Sequence, residues 1–393
     1  MNELLINIDD ESNTKIMLVE NGALVEYYEE KNNNKRIEGN IYLGKVVSIM
    51  NGMQAAFIDI GEEKNSFIHI KDIMPNIDKV KNKDINYDNI NIKDILEVGQ
   101  SILIQVKREP VQEKGGRVST HISLPGRYVV LMPEADFITI SQKIESVEEK
   151  ERLLNIAQKY MPKGFGCIIR TVSENKTEDN MKKDIDNLYE KWINLKKTVN
   201  LQSDSPCLIY EESNIIKEAI RDILREDVVR IVVNKQKTYA YISRLIKEYE
   251  ILGKELVLEN VDILSRYRLE NQIENIYSKR LWLKCGGFIV IEKTEALTTV
   301  DVNSGKYTGV KNLENTAFIV NKEAAYEITK QLRLRDIGGI IIVDFIDMYE
   351  EQHREEIINI FRSNMRKDRS KVEVKGFTQL YLLELTRKHV MAK

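Results

Sequence analysis

The chain is poor in the residues that build metal cages and covalent staples. Its three cysteines, Cys167, Cys207 and Cys285, are odd in number and far apart, which excludes a disulfide framework and a CxxC metal site. Its four histidines, His69, His121, His353 and His389, form neither HxH nor HExxH, so the zinc-hydrolase signatures are missing. No apolar run approaches the ~18 residues of a membrane span. The opening, MNELLINIDD, lacks the basic region of a signal peptide, and the cytoplasm is the expected compartment. A surplus of one charge is absent too. Against 62 Asp and Glu stand 59 Lys and Arg, a net charge of −3, which argues against an indiscriminate nucleic-acid coat. Basic residues gather only in RLRD (333–336) and RSNMRKDRSK (362–371); for the second a solvated face is the plain expectation.

What is present describes a globular α/β protein. At 393 residues, 42% apolar and 31% charged, the chain is long enough for two to four domains. Residues 2–30 read as strands around the hairpin signal Asn21-Gly22. Five short alternating strands over 39–107, broken at Gly44, Asn51-Gly52 and Gly61 and by a polar stretch at 75–94, predict a small barrel of the OB type. Strands and helices mix over 119–210, and 211–280 alternates helix with strand. In the last block FIVIEK and TTVDVN read as adjacent strands. Asn312 to Arg335 reads as a helix with an apolar stripe at 313, 317, 320, 324, 328 and 332. Gly338-Gly339 is expected to end that helix, and IIIVDFIDM to be a buried strand.

A strand–helix–strand unit with a right-handed crossover sets its strands parallel and near one another. That brings Asp301, in TTVDVN, toward Asp344, in IIIVDFIDM, at the strand ends where open α/β sheets bind ligands. Two close carboxylates repel unless a cation lies between them, and oxygen donors without His or Cys select Mg²⁺ or Mn²⁺ over Zn²⁺. This points to phosphodiester chemistry, with a metal polarising the phosphate and activating water. Asn303, two residues on along the same face, is placed to bond a phosphate oxygen or that water. The competing reading is that both Asp residues cap turns. Gly305-Lys306 does not complete GxxxxGK[ST], so a phosphate loop of that kind is excluded. In the barrel, Phe57 and Phe67 on neighbouring strands, with Tyr42, Lys45, Lys107 and Arg108 nearby, suit a platform for single-stranded bases; taken singly, each Phe reads as core. The loop EKGGRV (113–118) suits a phosphate backbone or a simple turn.

The stretches TEALTTVDVNSGKYTG, QLRLRDIGGIIIVDFIDM and GNIYLGKV…MQAAFIDIGEEKNSFI resemble the catalytic half of the ribonuclease E/G family, over residues 1 to about 390. The resemblance implies a multidomain α/β fold. A non-catalytic ribonuclease-H-like domain (1–35 with 211–280) is interrupted by an S1 barrel (36–118); a 5′-sensor domain (119–210) and a deoxyribonuclease-I-like catalytic domain (281–393) follow. It implies Asp301 and Asp344 as Mg²⁺ ligands and Asn303 as their catalytic partner. Phe57, Phe67 and Lys114 become RNA contacts, and Arg170, Thr171 and Val130 a pocket for a 5′-monophosphate. The family's CPxCxG zinc-link motif has no counterpart before Lys393. The expectation is therefore no zinc site, and a homodimer or homotetramer without a zinc link. Tyr381 stands where the family carries glycine, Gln379 where a basic residue is frequent, and SQKIES (141–146) has one lysine in place of two arginines.

The function implied is an Mg²⁺-dependent endoribonuclease acting on single-stranded, A/U-rich RNA. It leaves 5′-phosphate and 3′-hydroxyl ends, favours 5′-monophosphorylated substrates, and works in rRNA and tRNA processing and mRNA decay. The alternatives are an RNA-binding protein with weak or silent nuclease activity, and a sugar-nonspecific DNA nuclease.

Overall fold

The computed structural model describes residues 1–32, 36–73, 91–110, 114–202, 204–212, 214–306, 313–366 and 368–388. Most of the polar stretch at 75–94 lies outside the described residues, as do Glu113 and Asn312. The chain divides into two compact units, Met1–Asn32 with Arg225–Tyr241 and Gly253–Lys393, and Asn33–Leu224 with Ile242–Leu252. Among the described residues no helix is long and apolar enough to cross a membrane.

The first unit holds two sheets. One runs in the order Glu255–Leu258, Val228–Val233, Asn2–Ile8, Thr14–Glu20, Ala23–Glu30. Its central strand, Asn2–Ile8, is parallel to Val228–Val233 and antiparallel to Thr14–Glu20. Leu4, Leu5 and Ile6 are all fully buried, as a strand covered on both faces requires. Asn21 and Gly22 take φ of 50° and 81°, the left-handed pair that a tight two-residue hairpin needs.

The second sheet runs Arg280–Trp282, Phe288–Lys293, Leu297–Asn303, Gly339–Asp344, Leu382–Arg387, Val372–Phe377. Val300, Val302, Ile341, Val343, Leu383 and Leu385 share one core with residues of the helices Leu313–Leu334 and Glu351–Met365. Each such aliphatic side chain contributes roughly 1.5–3 kcal/mol on burial. The period-two alternation leaves Thr299, Asp301 and Ile340 on the open face.

Three details depart from the sequence reading. Leu313 is 90% exposed and outside the helix stripe, whereas Asn321 is fully buried within it. The helix is ended by Asp336, not by Gly338-Gly339. Asp336 adopts φ 46°, Ile337 N–H bonds back to Leu332 O, and the Asp336 carboxylate pairs with Arg387. Finally, the strand in IIIVDFIDM is only Gly339–Asp344, with Ile340 51% exposed; its aliphatic run covers one face. Nor are the basic clusters simply solvated. Arg335 donates to Gln331 and to the carbonyls of Asn275 and Ser278, and Arg369 donates to the Tyr28 hydroxyl.

In the second unit, Ile41–Met50, Ala55–Asp59, Ser66–His69, Arg117–Ser119 and Ser101–Arg108 close into a five-stranded barrel. Ile41–Met50 pairs with Ser101–Arg108 to shut it, and Cys207–Tyr210 joins from outside. Val46, Ile58, Ile68, Ile104 and Val118 fill its interior. A second sheet, Ile138–Ile140, Phe165–Ile169, Val129–Pro133, Leu124–Pro125, carries the helices Val147–Tyr160 and Glu178–Leu201. Ser146 and Thr177 cap those helices, each accepting a backbone N–H three residues on.

Candidate functional site

The strands Leu297–Asn303 and Gly339–Asp344 are parallel, and their register sets Asp301 directly opposite Asp344. Paired residues of neighbouring strands project to the same face, with the strands ~4.8 Å apart. Both aspartates are exposed. Asn303 turns its Nδ2 to Asp301 and donates a 2.7 Å hydrogen bond to Oδ2, which orients that carboxylate. Asp344 holds its proton more tightly than an ordinary aspartate; partial burial is the largest cause, followed by the like charges of Asp301 and Asp347. Among the described residues neither aspartate forms an ion pair that would offset the repulsion.

The segment after Asp344 is fastened from the helix Leu313–Leu334. The buried Asn321 side chain donates to Ile346 O (2.7 Å) and accepts from Ile346 N (3.1 Å), fixing the backbone between Asp344 and Asp347. Glu314 accepts from the N–H groups of Tyr349 and Glu350. The sequence reading missed both residues; the available signal was a polar side chain within an apolar stripe. Glu314, Glu350 and His353 are also the one group of three potential metal ligands found among the described residues. Its atoms are committed to structure. Glu314 lies 2.8 Å from His353 Nδ1, and the His353 ring stacks on Phe318 at 4.1 Å.

On the barrel, Phe57 and Phe67 lie opposite each other in register, with ring centroids 6.1 Å apart and planes at 71°. Both are half-buried and neither belongs to the barrel core, so the core reading of either ring gives way to an outward pair. Lys114 is exposed, just before Gly116 and Arg117, which border Phe67. Its place is fixed by Gly115, where a Cβ would meet Asn65 O at 1.9 Å, and by the 2.7 Å bond from Phe67 N to Gly116 O. Tyr42 and Lys107 do not join this face. Tyr42 is 5% exposed. Lys107 donates to Gln105 Oε1 (2.5 Å) and Ser123 Oγ (3.1 Å), and burial pulls its pKa down to about 8.

Arg170 and Thr171 follow the strand Phe165–Ile169, and Val130 lies on its neighbour, opposite Ile168. The Arg170 guanidinium donates to Gly126 O (2.6 Å) and Asp222 Oδ1 (2.5 Å). Arg170 and Arg221 hold the Asp222 carboxyl far below the usual range, against the burial that raises it. Gly126 is required here, because a Cβ would meet Asp184 Oδ2 at 2.5 Å; Asp184 accepts the N–H groups of Arg127, Tyr128 and Val129. The exposed Thr171 hydroxyl lies 2.7 Å from that of Ser141, a partner the sequence did not announce.

The family model described as the ribonuclease E/G family matches residues 123–390, and that of the S1 RNA binding domain matches residues 35–121. Ribonuclease G of Haemophilus influenzae is 38% identical over 392 residues, covering 98% of this chain and 79% of that protein. Ribonuclease G of Escherichia coli K12 is 37% identical over 390 residues, with the same two coverages of 98% and 79%. Ribonuclease E of Buchnera aphidicola subsp. Schizaphis graminum is 35% identical over 396 residues, covering 99% of this chain and 40% of its own.

Proposed function

The chain belongs to the ribonuclease E/G family and is an endoribonuclease, and on that premise we propose a metal-dependent mechanism centred on Asp301 and Asp344. The substrate is single-stranded, A/U-rich RNA, and the cation is Mg²⁺, with Mn²⁺ as a substitute. The observation that carries the reading is the register pairing of two exposed carboxylates that form no ion pair among the described residues, with Asn303 bonded to one of them. The donor set is oxygen only, which suits a hard divalent ion. When bound, such an ion supplies charge stabilisation of the phosphate and a more acidic water. Asp301 and Asp344 would hold it, Asn303 keeps Asp301 aimed and offers its second Nδ2–H to a phosphate oxygen, and Asn321 fixes the backbone beyond Asp344. Attack by water leaves 5′-phosphate and 3′-hydroxyl ends.

Phe57, Phe67 and Lys114 stack and tether the RNA on the S1 barrel. Arg170, Thr171 and Val130 receive a 5′-monophosphate, the guanidinium supplying charge-assisted donors. The division of the chain into a ribonuclease-H-like domain, an S1 barrel, a 5′-sensor domain and a deoxyribonuclease-I-like catalytic domain belongs to the same proposal. It is supported by the sheet in which residues 2–30 form three antiparallel strands extended by Val228–Val233 and Glu255–Leu258. Processing of rRNA and tRNA and decay of mRNA are the roles that follow.

Asp344→Asn tests the mechanism. Cleavage of a 5′-labelled RNA in Mg²⁺ should fall by more than about a hundredfold, beyond the 10–100-fold typical of groups that only support a metal ligand. Affinity for the same RNA in EDTA should stay within twofold of wild type. A variant that cuts at the wild-type rate removes the mechanism; a wild-type protein that binds without cutting supports the RNA-binding alternative.

A further inference from the structure

The open face of the catalytic sheet carries more than carboxylates. In register, Trp282 pairs with Phe288, and Phe288 pairs with Asn303; two residues further along each strand, Arg280 pairs with Val290, Val290 with Asp301, and Asp301 with Asp344. Residues paired in this way project to one side, so Trp282, Phe288 and Asn303 form a row beside the row of Arg280, Asp301 and Asp344. Two strand spacings put Trp282 about 10 Å from Asn303.

Trp282 is 60% exposed, although its neighbours Leu281 and Leu283 are buried at 8% and 7%. Its ring lies 5.2 Å from that of Phe288, inclined at 60°. The Arg280 guanidinium sits 4.5 Å from the Phe288 centroid, and it makes no ion pair among the described residues. Two glycines hold the turn after Asn303 against this group. A Cβ on Gly305 would meet Gly286 O at 2.5 Å and the Phe288 ring at 3.3 Å, and one on Gly287 would meet Asn303 O at 2.9 Å. Lys306, exposed, is tied in by its N–H to Gly286 O. The result is an aromatic pair with one cation over it, on the same face as the carboxylate pair.

We infer that Trp282, Phe288 and Arg280 form a nucleotide subsite beside the carboxylates, in which a base flanking the scissile phosphate stacks on Trp282 and Arg280 takes a neighbouring phosphate. The inference rests on the hydrolytic reading of Asp301 and Asp344 given above. Nucleic acid fits better than a protein partner because the Trp282–Phe288 pair has the Arg280 guanidinium over one ring and Asn303 across the strand pair from Phe288, polar neighbours rather than an apolar rim. Stacking with adjacent cations tolerates any base, so the subsite adds affinity and alignment without reading sequence.

The chain has two tryptophans, and Trp192 is 4% exposed, so quenching of emission by acrylamide reports Trp282. Saturating single-stranded RNA in EDTA should reduce that quenching by about half or more. Trp282→Ala should lower kcat/KM by about five- to a hundredfold, the scale of one lost base stack. Trp282→Phe should recover most of this. The loss should vanish on one of two substrates carrying an abasic ribose immediately 5′ or 3′ of the cut. Unchanged quenching at saturating RNA, or an equal loss on intact and both abasic substrates, overturns the proposal; so does shielding that depends on protein concentration alone, which would assign the face to a second copy. An active Asp344→Asn enzyme would sink the hydrolytic reading instead, and the quenching measurement in EDTA would be untouched by it.

Discussion

The barrel and the catalytic sheet solve the same placement problem with opposite energetics. Each sets two functional side chains directly across a strand pair on an open face: Phe57 against Phe67, and Asp301 against Asp344. The phenylalanines meet edge to face, a favourable contact worth about 0.5–1.5 kcal/mol beyond burial. The aspartates repel, and Asp344 answers by holding its proton above the ordinary range. A surface that only binds can be satisfied before its ligand arrives. The facing carboxylates have no ion-pair partner among the described residues, and under the proposed mechanism a cation would complete them.

The sharpest way to break that contrast is at Asp301. Asp301→Asn should cost more than about a hundredfold in cleavage yet leave the protein folded, because it removes a repulsion. Mg²⁺ should raise the melting temperature of the wild type through binding to the native state alone, and that rise should disappear in Asp301→Asn. A variant stabilised by Mg²⁺ as much as wild type would show that the carboxylates are not the cation's seat.

The aromatic pair should respond less. Phe57→Ala or Phe67→Ala should weaken binding of a single-stranded RNA by about five- to a hundredfold. The double substitution should cost less than the product of the two, since each ring partly rests on the other. Full multiplicativity in filter binding would mean that the rings act independently.

Lys107 tests whether the barrel is as free of frustration as its outer face suggests. Its pKa is lowered by burial from 10.5 to about 8, so between those values the unfolded chain binds the proton and the native one does not. Stability should therefore rise as pH rises through that window. Lys107→Met should abolish the rise and lift the melting temperature near neutral pH by about 2 °C or more. A variant whose pH profile matches wild type would assign the effect elsewhere.

Tyr381 should give the smallest change. Its φ is 60°, a conformation costing a non-glycine residue about 1–2 kcal/mol. Arg354 stacks over its ring at 5.2 Å, which returns about 0.5–1 kcal/mol. Tyr381→Gly should therefore stabilise by about 1 kcal/mol or less in denaturant unfolding; a loss of stability would mean that the ring contact outweighs the strain.

Much of this was legible in the chain. Alternation gave the barrel strands, Asn21-Gly22 gave the hairpin, and one crossover helix predicted that Asp301 and Asp344 would approach. The alternation could not say which face of a strand is covered: Phe57, Phe67 and Ile340 are apolar yet lie outward, and Tyr42 is polar-tipped yet buried. Nor could it announce Asn321, Ser141 or Asp222, whose partners are 25, 30 and 52 residues away. Local spacing carries information about residues that share one element, because backbone geometry fixes where their side chains project. The sequence by itself therefore determined the elements, the carboxylates and the family. Only the tertiary structure decided the register that sets Asp301 against Asp344, the open face that carries Trp282, and the buried amide that fixes the loop. Those depend on contacts between distant segments, and only the folded chain brings such segments together.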